Sequence, residues 1–300
     1  MSTISSLTHL AQTLCQGVQN NPLTVSYVGE NREESAPLSW YSYAYWYPDA
    51  AGNLQIANTN YSQHSNNLPL QYLSLPASIM TPPVTAGAPI VGVTQDGQYA
   101  AVTDCSGFVS YLVQQAAPLA YQAIPRLADP RHRQPWPSAL DYANLTQADH
   151  WQSILRITEP TPQASLDVIQ AGDIIAYSLP NSPDTGHIMI ATDTPKAPVT
   201  AQARVFRNLI TADNLTLPEG ATASYQYYPV PLINCNNQLG YLGGLSHQSG
   251  ISQGEFGFGM LTQDLYANGQ LIFAKGTWGV RFFNTFNLGV TALNIIRPLR

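Results

Sequence analysis

Ile4, Leu7, Leu10, Ala11, Leu14, Cys15 and Val18 recur at helical spacing behind Ser and Thr residues, which predicts an amphipathic helix over residues 4–18. Cys15 falls on its apolar stripe and is expected in the core. Residues 38–48 are dense in Trp and Tyr with partial alternation, the signature of a half-buried strand. Residues 49–98 are polar, with turns at Ala51-Gly52-Asn53 and Gln95-Asp96-Gly97-Gln98. From Asp104 to about Gln115 the pattern becomes helical, with Phe108, Val109, Leu112 and Val113 on one stripe. Pro118, Pro125, Pro130, Pro135 and Pro137 then impose a long loop. A further helix is expected over Thr146–Ile157, with Trp151, Ile154 and Leu155 inward. Strands follow near 173–178, 187–192 and 203–210, and the glycine-rich tail from 225 reads as short strands and loops, for example 270–274 and 279–283. No repeat or linker divides the chain, so one domain spanning 1–300 is expected.

Composition narrows the classes. Only 10% of residues are charged, against ~25% in an average soluble protein, and 23 Pro and 21 Gly fit a β- and loop-rich chain. The net charge of −6, with no Lys/Arg cluster, argues against nucleic-acid partners. No apolar run reaches the ~20 residues of a membrane-spanning helix. The N-terminus has no basic start, apolar segment or small-residue cleavage site, so the expected location is the cytoplasm, or outside the cell without a cleaved signal peptide.

The candidate chemistry lies in two segments. Cys105, in Thr103-Asp104-Cys105-Ser106-Gly107-Phe108-Val109, opens the second helix, where unpaired N–H groups and the macrodipole lower a thiol pKa. Asp104 is a natural cap, and the Cys105 N–H would face a substrate carbonyl oxygen. His187, after Gly186, begins the apolar strand Ile188-Met189-Ile190-Ala191, a rigid place for a base. The expected arrangement is an ionised sulfur against this imidazole in an open groove. A third polar group must orient the ring; Asn208 on the following strand is the first candidate, with Asp193, Asp213 and His247 as rivals.

The segments Asp104-Cys105-Ser106-Gly107-Phe108-Val109, Ala171-Gly172-Asp173-Ile174-Ile175-Ala176-Tyr177 and Gly186-His187-Ile188-Met189-Ile190 together resemble the NlpC-type cell-wall peptidase family. The resemblance covers about residues 95–215. It implies a papain-like α+β fold, with the nucleophile helix packed on an antiparallel sheet and β- and loop-rich elaborations at both ends. It further implies Cys105 as nucleophile, His187 as base and Asn208 as orienting group. The implied activity is cleavage of amide bonds in peptidoglycan peptide stems, with delivery by a secretion system and an immunity partner as its natural companions. That family places an aromatic segment before its Cys; here Ala86–Val93 has none, and Tyr99 is the nearest tyrosine. A Cys-His acyltransferase, deamidase or protease acting on other substrates uses the same chemistry. An inert module holding carbohydrate on aromatics 40–47 is the alternative from another class.

The remaining motifs are weaker. His132 and His150 do not stand at metal-ligand spacing, and Gly87–Gly97 lacks the Lys-Ser/Thr ending of a phosphate loop, so no metal or cofactor is expected. Cys235, in Asn234-Cys235-Asn236-Asn237, has no base beside it in sequence and is read as incidental. The Ser246–Gly254 stretch reads as a loop at the rim of the cleft or as a plain surface turn.

Overall fold

The computed structural model describes residues 3–28, 33–37, 39–41, 44–58, 80–81, 85–132, 134–145, 148–157, 166–178, 185–205, 222–236, 250–267, 269–282, 285–288 and 292–299. Helix α1 (Thr3–Asn20) is followed by the hairpin β1 (Thr24–Val28) and β2 (Glu33–Pro37). Next come β3 (Ser39–Tyr41), the antiparallel pair β4 (Ala44–Pro48) and β5 (Leu54–Asn58), then β6 (Met80–Thr81), β7 (Ile90–Thr94) and β8 (Tyr99–Thr103). Strands β3, β8, β7 and β6 form a small sheet in that order, and β8 runs directly into α2 (Cys105–Ala116). Two short helices, α3 (Pro118–Gln122) and α4 (Ala139–Ala143), flank the proline-rich loop.

The rest of the chain builds one large sheet. Its strands are β9 (Trp151–Ile157), β10 (Ile174–Ser178), β11 (Gly186–Ala191), β12 (Val199–Val205), β13 (Thr222–Asn236) and β14 (Gly250–Leu261). After the hairpin β15 (Leu265–Ala267) and β16 (Gln270–Phe273) come β17 (Trp278–Phe282), β18 (Thr285–Leu288) and β19 (Ala292–Pro298). The nine-stranded order is β12-β18-β17-β14-β13-β11-β10-β19-β9. Every pairing in it is antiparallel except β12 with β18. Because β12 also pairs with β13, the strands β12, β18, β17, β14 and β13 close into a ring at one end. Ala223, Tyr225, Tyr227, Leu261 and Leu265 form a buried cluster on that part of the sheet.

The sheet separates two larger cores. On one face Phe108, Val109 and Leu112 of α2, with Leu7, Leu14 and Cys15 of α1, pack against Ile188, Ile190 and Ile233. On the other, Ile175, Tyr177, Met189, Leu232, Phe256 and Phe258 form a separate cluster. Each fully buried large apolar side chain there contributes ~1.5–3 kcal/mol. The alternation along β11 is therefore strict: Ile188 and Ile190 look toward α2, His187 and Met189 away from it.

These features overturn the expected papain-like α+β fold. Among the described residues strand outweighs helix by more than two to one, and only four α-helices stand beside a sheet that dominates them. The reason lies in the tail, read from sequence as peripheral elaboration. Ala223, Tyr225 and Tyr227 alternate inward along β13, and glycines interleave with Phe256 and Phe258 along β14. The two strands pair from Tyr225–Leu261 to Asn236–Gly250 and form the spine of the large sheet. The helix expected over Thr146–Ile157 is also corrected: residues 151–157 form β9, paired with the C-terminal β19. His150 has φ +65°, which no helix accommodates, and its carbonyl accepts the Leu299 N–H at 2.7 Å. The helix over 4–18, the helix opening at Cys105 and the strands near 173–178, 187–192, 270–274 and 279–283 are all present, with small shifts of bounds.

Candidate thiol–imidazole site

Cys105 is the first residue of α2, and Asp104 is its cap. The Asp104 carboxylate accepts the Gly107 N–H at 2.6 Å, the Ser106 hydroxyl at 2.8 Å, the Trp136 indole N–H at 3.0 Å and the Gln134 amide at 3.2 Å. Charge-assisted bonds of this kind hold the first turn firmly and leave the dipole's positive end at the cysteine. The loop that delivers Gln134 and Trp136 is itself clamped. Arg126 donates to the carbonyls of Pro135 at 2.6 Å and Gln134 at 3.1 Å, and lies 3.6 Å from Asp141. Glycine is required at 107, because a Cβ there would collide with the Thr103 hydroxyl and come within 2.8 Å of the Trp136 ring.

His187 follows a glycine for an equally local reason. Gly186 has φ +138°, and a Cβ there would run into the Tyr177 carbonyl of the paired strand. The ring lies 6.1 Å from the Tyr177 ring, and burial pushes its pKa down to about 4. Its Nε2 is 3.4 Å from the Asn234 side-chain nitrogen. The Asn234 carbonyl oxygen in turn accepts from the Asn236 amide at 3.0 Å and the Ser252 hydroxyl at 3.2 Å.

These groups gather at one end of the sheet. The antiparallel register of β11 on β13 sets the start of β11 beside the end of β13. There Cys235 donates its S–H to the carbonyl of Thr103, two residues before Cys105, at 3.1 Å. Asn234 and Asn236 flank Cys235 but point to the opposite face, the side of His187. The thiol thus belongs to the core on the α2 side and the imidazole to the other, so a route between them runs around the strand ends. The expectation of a sulfur open to a groove is corrected: Cys105 is 4% exposed and His187 8%.

Asn208, Asp213 and His247 lie outside the described residues. Asp193 is exposed beyond the far end of β11, where its carboxylate accepts the Thr194 N–H. A residue that does meet the ring is Asn234, which sequence reasoning passed over. Its signal was the pair of amides on either side of a core cysteine at the end of the strand, after an apolar run. Cys235 is buried, its thiol pKa pushed well up by desolvation and then by the nearby Asp104 charge. Cys15 is likewise buried, pushed up to about 12 by desolvation. Tyr99 packs its ring on Gly17 of α1, at the opposite end of β8 from Cys105. His132 bonds the Ser138 hydroxyl at 2.6 Å beside Asp141, within the network that caps α4. Of the aromatic segment 40–47, Trp46 is fully buried and Tyr47 is 40% exposed. Among the described residues no cluster of His, Cys, Asp or Glu could hold a metal ion, and no helix is long and apolar enough to cross a membrane.

No family model and no solved structure matches the chain. It is similar to the uncharacterized protein R653 of Acanthamoeba polyphaga mimivirus, 31% identical over 102 residues. That stretch is 33% of this chain and 40% of the viral protein, so the match spans well under half of either.

Proposed function

We propose that the chain is a thiol hydrolase of amide bonds, with Cys105 as nucleophile, His187 as base and Asn234 in the orienting role first given to Asn208. The observation that carries this reading is the convergence, at one end of the sheet, of an Asp-capped helix N-terminus bearing a cysteine and a strand histidine held by a buried amide. In the reaction the Cys105 sulfur bonds to the substrate carbonyl carbon, and its proton reaches His187 around the ends of the strands. The C–N bond then breaks, the leaving amine takes that proton, and water hydrolyses the thioester to a carboxylic acid and the free thiol. The Cys105 N–H stabilises the oxyanion. With its pKa near 4, the ring rests neutral, so it acts as a general base at the moment of attack rather than in a standing thiolate–imidazolium pair.

The likeness of the segments around Cys105 and His187 to cell-wall peptidases supports peptide stems of peptidoglycan as the substrate. Action outside the cell belongs to the same proposal. Digestion of purified peptidoglycan by the wild type and by Cys105→Ala, read by mass spectrometry, tests it. New amino and carboxyl termini released by the wild type alone are expected. No release by either protein rejects the cell-wall substrate, and equal release by both rejects Cys105 as nucleophile.

A further inference from the structure

We infer that Asn236 and Ser252 are positioning residues that set the direction of a reversible hydrogen-bond relay through Asn234, and so decide which nitrogen of His187 carries the proton. The inference rests on the catalytic reading of His187 and deepens it. Two donors, the Asn236 amide at 3.0 Å and the Ser252 hydroxyl at 3.2 Å, converge on the Asn234 oxygen. The Asn236 amide also reaches the Ser252 oxygen at 3.1 Å. With its oxygen so occupied, Asn234 turns its NH2 toward the ring, and an amide N–H only donates. Nε2 is therefore the acceptor, and in the neutral ring the proton sits on Nδ1.

That arrangement suits a neutral ring and opposes an imidazolium, whose Nε2–H would face a donor. The same atoms, however, support a second, complete set of bonds. If both amides turn over, the Asn234 NH2 donates to the Asn236 oxygen and to the Ser252 oxygen, and the Ser252 hydroxyl donates to the Asn236 oxygen. The Asn234 oxygen then faces the ring and accepts Nε2–H. Nδ1 now holds the lone pair that receives the proton released by the thiol, and the resulting imidazolium is satisfied on its Nε2 side. Within the Asn234, Asn236 and Ser252 triangle the reversal needs only the rotation of two planar amides and one hydroxyl.

Nitrogen-15 NMR of the His187 ring at neutral pH reads the relay directly. In the wild type the Nδ1–H tautomer is expected, with Nε2 unprotonated. In Ser252→Ala and in Asn236→Ala, each lacking one donor onto the Asn234 oxygen, the population is expected to shift toward Nε2–H. A role confined to packing would lower stability without exchanging tautomers. A wild-type ring already in the Nε2–H form overturns the inference, and this measurement needs no variant to fold. A ring unchanged in both folded variants overturns it as well. Alkylation of Cys105 in the same samples separates the two claims: an inert thiol beside a responsive ring rejects the nucleophile and leaves the relay, whereas a reactive thiol beside an unresponsive ring rejects the relay alone.

Discussion

Replacing Asp104 by Ala tests the architecture of the first turn of α2 in energetic terms. The carboxylate accepts four donors from within the turn and from the proline-rich loop. On truncation the Trp136 and Gln134 donors keep a partner, because the Ser106 oxygen lies 3.0 and 3.4 Å from them. The Gly107 N–H and the Ser106 hydroxyl do not: the 2.6 Å cap bond and a second bond of 2.8 Å are lost in a buried setting. A lost cap costs about 1 kcal/mol, and a stranded buried donor brings a further penalty of about 1–3 kcal/mol. Asp104→Ala is therefore expected to destabilise by roughly 2–4 kcal/mol. Asp104→Ser, which keeps a capping oxygen, should recover about 1 kcal/mol of that loss. Urea unfolding followed by tryptophan fluorescence measures both, since the change appears in the midpoint at constant slope. A loss below about 0.5 kcal/mol for the alanine variant would refute the account of this turn, because it is the range of an ordinary surface substitution.

Three further outcomes follow from the same reasoning. Asp173, fully buried, holds Arg297 of β19 through bonds of 2.7 and 2.9 Å; Arg297→Met should cost about 3–5 kcal/mol by leaving that carboxylate unpaired, and adding Asp173→Asn should return much of it in a double-mutant cycle. His187, lowered from 6.5 to about 4, makes stability full above pH 6.5 and lost as pH falls toward 4, by about 3 kcal/mol in all; His187→Leu should flatten that part of the pH–stability curve in denaturation series. Gly186→Ala should lower stability by more than about 2 kcal/mol, read as a fall in melting temperature, because φ +138° and the Tyr177 carbonyl both exclude a side chain.

What the chain revealed in advance was local. The stripe of α1, the capped helix at Cys105 and the Gly-His strand start each depend on neighbours in sequence, and each is where its residues placed it. The overall fold depends on pairings between distant segments. The match of β13 to β14, the ring closed by β12, and the insertion of β19 between β9 and β10 leave no mark that one strand alone can carry. Spacing at Trp151, Ile154 and Leu155 suited helix and strand alike, and the turn at His150 decided it. Asn234 was unreadable as a partner for His187 because its only advertisement, a polar residue at an inward position, acquires meaning through the register with β11 and β14.

The account stands on a thiol at Cys105 that is activated by His187, and comparison of the protein's three cysteines is its most direct trial. Site-resolved iodoacetamide labelling at pH 7 should modify Cys105 at least about tenfold faster than Cys15 or Cys235, because Cys105, though buried like them, opens a helix and has His187 as its base, and His187→Ala should erase most of that lead. Equal labelling of all three, arriving only as the fold opens, would contradict it.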